Sequence, residues 1–173
     1  MQGLDTHGVV IFSGTFSKVL FPSLRLSYLV VPPDLVDRFA DARSLTARHA
    51  PVMAQAVLCD FIVEGHFARH IRRMREVYAE RLSTLLDCAA RHLAGRLEVC
   101  RIEAGLQTPG WLSGGLATDV AAAAAQRQIE VSPIDACWRG RPAREGLLLG
   151  FAAIDLPEIR RGVADLAAVL DRA

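Results

Sequence analysis

Apolar positions along this chain follow a helical period in one long segment. Between residues 65 and 93 they recur every three or four positions and form a single stripe, which predicts a long amphipathic helix. The stripe comprises Phe67, Ile71, Met74, Tyr78, Leu82, Leu85 and Ala89. Residues 51–63 form a second, shorter apolar segment, and it predicts a helix that ends at Glu64 and Gly65.

The segment before residue 46 has a different pattern. Residues 8–13 and 26–31 are short apolar runs rich in β-branched residues, and they predict two buried strands. Two prolines end the second run, and Asp34 then predicts the N-cap of a helix. The apolar positions of that helix are Leu35, Phe39, Ala42 and Leu45.

Beyond residue 93 the pattern indicates a small domain of mixed composition. Strands are predicted at residues 97–102, 108–112, 130–134 and 147–154, with an alanine-rich helix at residues 116–128. A last helix is predicted to begin at Asp155, because Glu158 three residues later completes a capping box. Helices on one side of a small, mostly antiparallel sheet make an α+β domain.

Composition limits the classes of protein that the chain can belong to. Half of its 173 residues are hydrophobic (51%) and its net charge is +1, a balance that favours a soluble globular protein and argues against direct binding of nucleic acid. No apolar run approaches the roughly 20 residues that span a membrane. The cysteines show no metal-ligand spacing, which indicates reduced, mostly buried thiols in the cytoplasm. They are Cys59, Cys88, Cys100 and Cys137.

Two features of the long helix allow more than one interpretation. Its arginines could face a nucleic acid, but Arg72 and Glu76 at i,i+4 favour a solvated or subunit-facing surface. His66 and His70 are also four residues apart and could hold a metal ion. Because the sequence offers no third ligand and no HExxH motif, no metal site is predicted.

Lys18 is the only lysine among the 20 lysine and arginine residues of the chain. A lysine amine can lose its proton and condense with an aldehyde, whereas a guanidinium cannot. Thr15, Ser17 and Arg25 lie within eleven residues of sequence around this amine, and they are suited to a phosphate group. The segment therefore predicts a site for a phosphorylated aldehyde.

Residues 13–32, SGTFSKVLFPSLRLSYLVVP, closely resemble the lysine segment of the fold-type I pyridoxal-phosphate proteins, the aspartate aminotransferase superfamily. The resemblance implies that Lys18 forms the Schiff base with pyridoxal 5'-phosphate. It further implies that Thr15 and Ser17 are hydroxyl ligands of the phosphate and that Arg25 is its bidentate partner.

Residues 61–82 and 146–167 resemble the aminotransferase-like domain of the MocR-type regulators of the GntR family, bacterial transcription factors that join a winged-helix DNA-binding domain to this fold. The resemblance implies an α/β, PLP-dependent transferase-like fold, of which this chain is the C-terminal half. Residues 1–46 would then be the C-terminal part of the cofactor-binding large domain, and residues 47–173 the small α+β domain.

The same resemblance implies a cytoplasmic homodimer that binds a small amino-compound or the vitamer itself. It would contact DNA only through a winged-helix domain that this chain does not contain. Seventeen residues precede Lys18, whereas the family has half of its large domain there, so a C-terminal fragment is expected.

Catalytic turnover is a separate question, because Leu148 stands where aminotransferases of this fold carry the arginine that binds the substrate carboxylate. Arg144 lies four residues upstream, and strand alternation gives no reason to expect its side chain in the same place. Three hypotheses therefore remain: a MocR-type effector domain, a PLP-dependent class I/II aminotransferase, and a remnant that binds nothing tightly.

Overall fold

The computed structural model describes residues 2–47, 51–137, 140 and 143–172, without the side chains of residues 136 and 137. The chain divides into two compact units, Met1–Arg72 and Arg73–Ala173. The division falls within the longest helix. The division at residue 46 inferred from the sequence concerns the domains of the whole protein and stays a prediction.

The first unit contains a two-stranded antiparallel hairpin and helical segments. The hairpin pairs β1 (Phe12–Thr15) with β2 (Ser27–Val30), and a short 3-10 helix, Pro22–Leu24, lies between them. The helices are α1 (Val36–Thr46), α2 (Val52–Val63) and the beginning of α3 (His66–His92), with further 3-10 turns at Gln2–Leu4 and Pro33–Leu35.

Three predictions for the first unit were wrong. The first strand begins at Phe12 and not at residue 8, and the hairpin is not buried, since Phe12 is 43% and Leu29 53% exposed. The sheet of this unit has only two strands in the described part of the chain, and a sheet of two strands buries little of its own surface. Asp34 does not cap α1, because the proline before it begins a 3-10 turn and Leu35 becomes the N-cap residue.

The second unit is the predicted α+β arrangement. Its four strands are all antiparallel and lie in the spatial order β3-β4-β6-β5. They are β3 (Leu97–Val99), β4 (Gln107–Leu112), β5 (Ser132–Pro133) and β6 (Gly146–Gly150). Helices α4 (Ala117–Ala125) and α5 (Leu156–Leu170) complete the unit together with the larger part of α3, and a 3-10 helix follows β5 at Ile134–Cys137.

The core of the second unit lies between one face of the sheet and the three helices. Alternate strand residues, Leu97, Leu112, Leu147 and Leu149, pack against the apolar faces of α3, α4 and α5. The capping box is confirmed: the Glu158 N–H donates to Asp155 Oδ1 at 2.9 Å, and the Asp155 N–H donates to Glu158 Oε2 at 3.3 Å. Pairing limits β5 to two residues, where five were predicted.

The remaining sequence-based expectations concern the thiols and the arginines of α3. Cys88 is buried, Cys100 is partly buried and Cys59 is exposed, and all three are free thiols. The side chain of Cys137 lies outside the described residues. The α3 arginines Arg69, Arg72, Arg73 and Arg75 are exposed. Among the described residues, no helix combines the length and the apolar character needed to cross a lipid bilayer.

Candidate functional site

The hairpin of the first unit fixes both ends of the segment that contains Lys18. Thr15, the last residue of β1, pairs with Ser27, and the Phe16 N–H extends the ladder by donating to the Leu26 carbonyl at 3.1 Å. Residues 17–25 therefore form the connection at one end of the hairpin. Leu26 is buried at 6% exposure and anchors the point where the chain returns.

Gly14 allows the hairpin to close under an aromatic side chain. The ring of Tyr28 lies against the Gly14 backbone, and a Cβ at position 14 would be 2.4 Å from Tyr28 Cζ. The Tyr28 ring in turn contacts Phe16, with 5.5 Å between the ring centroids. The glycine before the lysine motif is thus required by a close approach across the two strands.

Lys18 lies in a tight turn that closes on the Phe16 carbonyl. The N–H groups of Val19 and Leu20 both donate to that oxygen, at 3.3 and 2.9 Å. The Lys18 side chain is exposed, and it takes part in no ion pair in the described part of the chain. The turn therefore presents the amine to its surroundings.

The two hydroxyl residues before Lys18 differ in how their side chains are used. Thr15 Oγ1 accepts a hydrogen bond from the Ser17 N–H at 3.2 Å and donates to the Leu26 carbonyl at 3.4 Å. The second bond is long for an O–H donor and correspondingly weak. The Ser17 hydroxyl has no partner within the described residues, so both of its roles as donor and acceptor are open.

Arg25 reaches the same end of the hairpin through an unusual backbone conformation. It follows the 3-10 helix Pro22–Leu24 with φ 52° and ψ 29°, a left-handed conformation that costs energy for any residue other than glycine. The chain reverses at this residue and enters β2. The exposed Arg25 guanidinium belongs to none of the ion pairs formed between residues that the structure describes.

Helix α3 supplies contacts to the lysine turn that the sequence did not suggest. The Phe67 ring packs edge-on against Phe16 at 5.9 Å, and His70 Nε2 donates to the Val19 carbonyl at 2.8 Å. The i,i+3 spacing of Phe67 and His70 puts both residues on one helix face, and this spacing is the signal that could have indicated a shared contact.

The histidines considered as a metal pair make separate contacts to the protein. His66 lies between Glu64 and Arg69, with Nε2 3.1 Å from Glu64 Oε2 and Nδ1 2.6 Å from Arg69 Nη2. His70 is bonded to the Val19 carbonyl instead. No group of three potential ligands among His, Cys, Asp and Glu occurs in the described ranges.

In the second unit, Leu148 lies on the sheet face opposite the core. It is half-buried and pairs with Pro109 and Ser132. Arg144 precedes β6, donates to Glu98 Oε2 at 3.0 Å, and has its guanidinium carbon 5.4 Å from the centre of the Trp111 ring. Arg144 is therefore engaged with its own surface neighbours, Glu98 and Trp111.

Together the residues at the hairpin end suit a phosphorylated aldehyde. One exposed amine, one exposed guanidinium and two hydroxyls are attached to a connection whose ends are fixed by strand pairing. A guanidinium fork matches phosphate oxygens, and a primary amine is the group that bonds to an aldehyde carbon. The donor set thus fits pyridoxal phosphate.

Aminotransferases are among the solved structures that share this fold. The chain superimposes with a TM-score of 0.85 on the α-aminoadipate aminotransferase LysN from Thermus thermophilus, crystallised with N-(5'-phosphopyridoxyl)-L-leucine, at 26% identity over 94% of this chain and 42% of that one. It superimposes with a TM-score of 0.89 on the kynurenine aminotransferase of Pyrococcus horikoshii, at 24% identity over 99% of this chain and 43% of that one. The chain has the fold of the fold-type I pyridoxal-phosphate enzymes.

Curated relatives divide into regulators and enzymes, and the regulators are more similar. The probable rhizopine catabolism regulatory protein MocR of Rhizobium meliloti is 43% identical over 96% of this chain and 34% of its own length. The HTH-type transcriptional regulator YdeL of Bacillus subtilis is 31% identical over 97% of this chain and 36% of its own length. The 2-aminoadipate transaminase of Thermus thermophilus is 26% identical over 93% of this chain and 41% of its own length.

Over nearly its whole length the chain is similar to part of a MocR-type transcriptional regulator. It spans about a third of the length of these relatives (34% and 36%). No family model matches it.

Proposed function

We propose that this chain binds pyridoxal 5'-phosphate through Lys18 and forms part of the effector-binding domain of a MocR-type regulator. The observation that carries the proposal is the end of the β1–β2 hairpin, where the pairing of Thr15 with Ser27 holds the lysine turn and Arg25 at the same end. Similarity to the regulators and to enzymes crystallised with pyridoxyl compounds supports the choice of cofactor.

Each side chain at the hairpin end has a distinct role in the proposal. Lys18 would hold the cofactor through its amine, the group that could condense with the aldehyde with loss of water. Arg25 provides a two-pronged contact to the phosphate, and the unpartnered Ser17 hydroxyl donates to it. Thr15 joins them by turning its proton from the Leu26 carbonyl to the phosphate, at little cost because that bond is already 3.4 Å long.

The proposed effector is a small amino-compound or the vitamer itself. When bound, the cofactor supplies an electrophilic carbon that a second amine can occupy in place of Lys18. An amino-compound would then compete with Lys18 for that carbon, and the state of Lys18 would report effector binding.

Turnover of amino acids is not part of the proposal, although the fold is that of aminotransferases. Leu148 has an apolar side chain where the family resemblance leads one to expect a carboxylate-binding arginine. The ion pair of Arg144 with Glu98 leaves that residue occupied. The higher identity to the regulators agrees with a binding function.

For the whole protein, we propose a cytoplasmic homodimer that contacts DNA through a winged-helix domain outside this chain. Similarity to a regulatory protein and to an HTH-type transcriptional regulator supports this proposal. Release of Lys18 by an effector amine would then be the event that the DNA-binding domain reads.

Borohydride trapping tests the proposed function. The chain is mixed with pyridoxal phosphate, reduced, digested and mapped by mass spectrometry. We expect an absorption band at the edge of the visible range before reduction and one phosphopyridoxyl group on the peptide that contains Lys18. Added amines that act as effectors should change the band and reduce the trapped fraction.

Lys18→Ala and Lys18→Arg are the matched variants, because the chain has no other side-chain amine. Both should lose the band and the label, while Lys18→Arg keeps the charge at the turn. A label that persists at wild-type level in both variants would rule out Lys18 as the bonding residue.

A further inference from the structure

Two residues on one face of α3 hold the lysine turn on either side of Lys18. Phe67 contacts the ring of Phe16, two residues before the lysine, and His70 bonds to the carbonyl of Val19, the residue directly after it. Because a carbonyl can only accept, His70 Nε2 carries the proton in this bond. The two contacts come from residues about 50 positions away in the sequence.

The bond from His70 helps to hold the peptide unit between Val19 and Leu20 in one orientation. In the peptide between Val19 and Leu20, the Leu20 N–H donates to the Phe16 carbonyl at 2.9 Å and the Val19 oxygen accepts from His70 at 2.8 Å. A peptide unit is planar, so holding both of its polar groups fixes its orientation. The peptide unit that begins one residue after Lys18 is then oriented in part by a side chain from α3.

We propose that His70 is a positioning residue for Lys18 and couples the lysine turn to helix α3. The direction of the Lys18 amine then depends on where α3 lies, and the bonding state of Lys18 in turn acts on α3, because coupling between two sites is reciprocal. The part of this inference that concerns the cofactor rests on the proposed function, whereas the coupling of the turn to α3 does not.

The single lysine provides a direct assay for the turn. Endoproteinase Lys-C cleaves after lysine, so Lys18 is its only target in this chain, and cleavage requires the turn to open locally. Without cofactor, we expect His70→Ala to increase the cleavage rate about two- to tenfold, the ratio that corresponds to one lost hydrogen bond. Alanine is the best helix former, so α3 should persist, and circular dichroism checks this.

Two further variants separate the bond from general loosening of the helix. His70→Gln retains a side-chain N–H donor of similar reach and should restore a rate close to that of the wild type. Arg72→Ala changes an exposed residue of the same helix and should leave the rate unchanged. Unchanged cleavage of His70→Ala, failure of His70→Gln to restore protection, or equal acceleration in Arg72→Ala would each overturn the proposal.

A second arm adds pyridoxal phosphate and follows the absorption band as a function of pH. If His70 positions Lys18, His70→Ala should shift the midpoint of this titration and His70→Gln should return it to the wild-type value. If His70 were needed only for folding, His70→Ala would change the amount of bound cofactor and not the midpoint. Absence of any band in the wild-type chain would contradict the proposed function but leave the Lys-C result valid. A band whose midpoint is the same in the wild type and His70→Ala would overturn the positioning role.

Discussion

Replacement of Arg25 by glycine should make the chain more stable and its proposed cofactor site weaker. Arg25 has φ 52° and ψ 29°, and this left-handed conformation costs a residue with a Cβ about 1–2 kcal/mol. Glycine avoids that cost but gains freedom in the unfolded chain, which offsets about 0.4–1 kcal/mol. The expected net gain in the free energy of unfolding for Arg25→Gly is therefore about 0.5–1 kcal/mol.

The effect on binding has the opposite sign. A charge-assisted hydrogen bond is worth about 1.5–3 kcal/mol, so losing the guanidinium should weaken the binding of pyridoxal phosphate roughly ten- to a hundredfold. Arg25→Lys keeps the charge but lacks the planar fork, and its affinity should lie between those of the wild type and the glycine variant. The backbone strain in Arg25→Lys should equal that of the wild type.

Urea unfolding of the chain without cofactor and absorbance titration with cofactor measure the two effects separately. Gln128 is the matched control, because it is the other non-glycine residue with a positive φ (60°) in the described part of the chain. Gln128→Gly should gain similar stability and leave cofactor affinity unchanged. An Arg25→Gly variant that binds pyridoxal phosphate as tightly as the wild type would show that the phosphate contact is elsewhere. Lower stability of that variant would refute the strain argument.

Further predictions concern turnover, the glycine of the hairpin and acid stability. With pyridoxal phosphate supplied, amino donors and keto acids should give no multiple turnover; steady transamination that Lys18→Ala abolishes would favour the enzyme hypothesis. Gly14→Ala should cost about 1–2 kcal/mol in urea unfolding, because the new methyl displaces the Tyr28 ring from its aromatic neighbours, and the cost should vanish in a Tyr28→Ala background. Hydrogen bonds from the backbone, chiefly from the Val10 N–H, hold the pKa of Asp5 below its ordinary 3.8. A depressed carboxyl pKa stabilises the fold above the unfolded value and ceases to do so as the pH falls through the folded value, so unfolding of Asp5→Asn should depend less on pH below about pH 4.

The elements that the sequence predicted well are those defined by local patterns. Helix α3 was predicted at residues 65–93 and occupies His66–His92. The prediction was accurate because an apolar stripe that continues over many turns fits the helical period and not the period of a strand. The α5 capping box was likewise predicted, since it depends on residues three positions apart. Strand ends were less accurate because cross-strand pairing decides them, as the two-residue β5 shows.

The candidate site was predictable only in its local part. Lys18 and Arg25 lie in one short segment, so their chemistry could be recognised from the sequence. His70 lies 52 residues beyond Lys18, and its i,i+4 spacing with His66 raised only a metal pair, which was not predicted. The contact that His70 makes depends on how α3 packs on the turn. The left-handed backbone at Arg25 also had no signal, because it follows from the 3-10 helix before it.

Within the part of the chain that the structure describes, the lysine turn is attached to a sheet of two strands, and such a hairpin is marginally stable by itself. The folding of the hairpin and the binding of a ligand at its end are therefore coupled equilibria. A ligand that bonds to Lys18 and Arg25 at the same time binds only the closed hairpin, and at a hundredfold excess over its dissociation constant it would favour that state by about 2.7 kcal/mol. The melting temperature of the first unit should accordingly rise with ligand concentration. A thermal shift could then rank effector amines without any DNA in the assay.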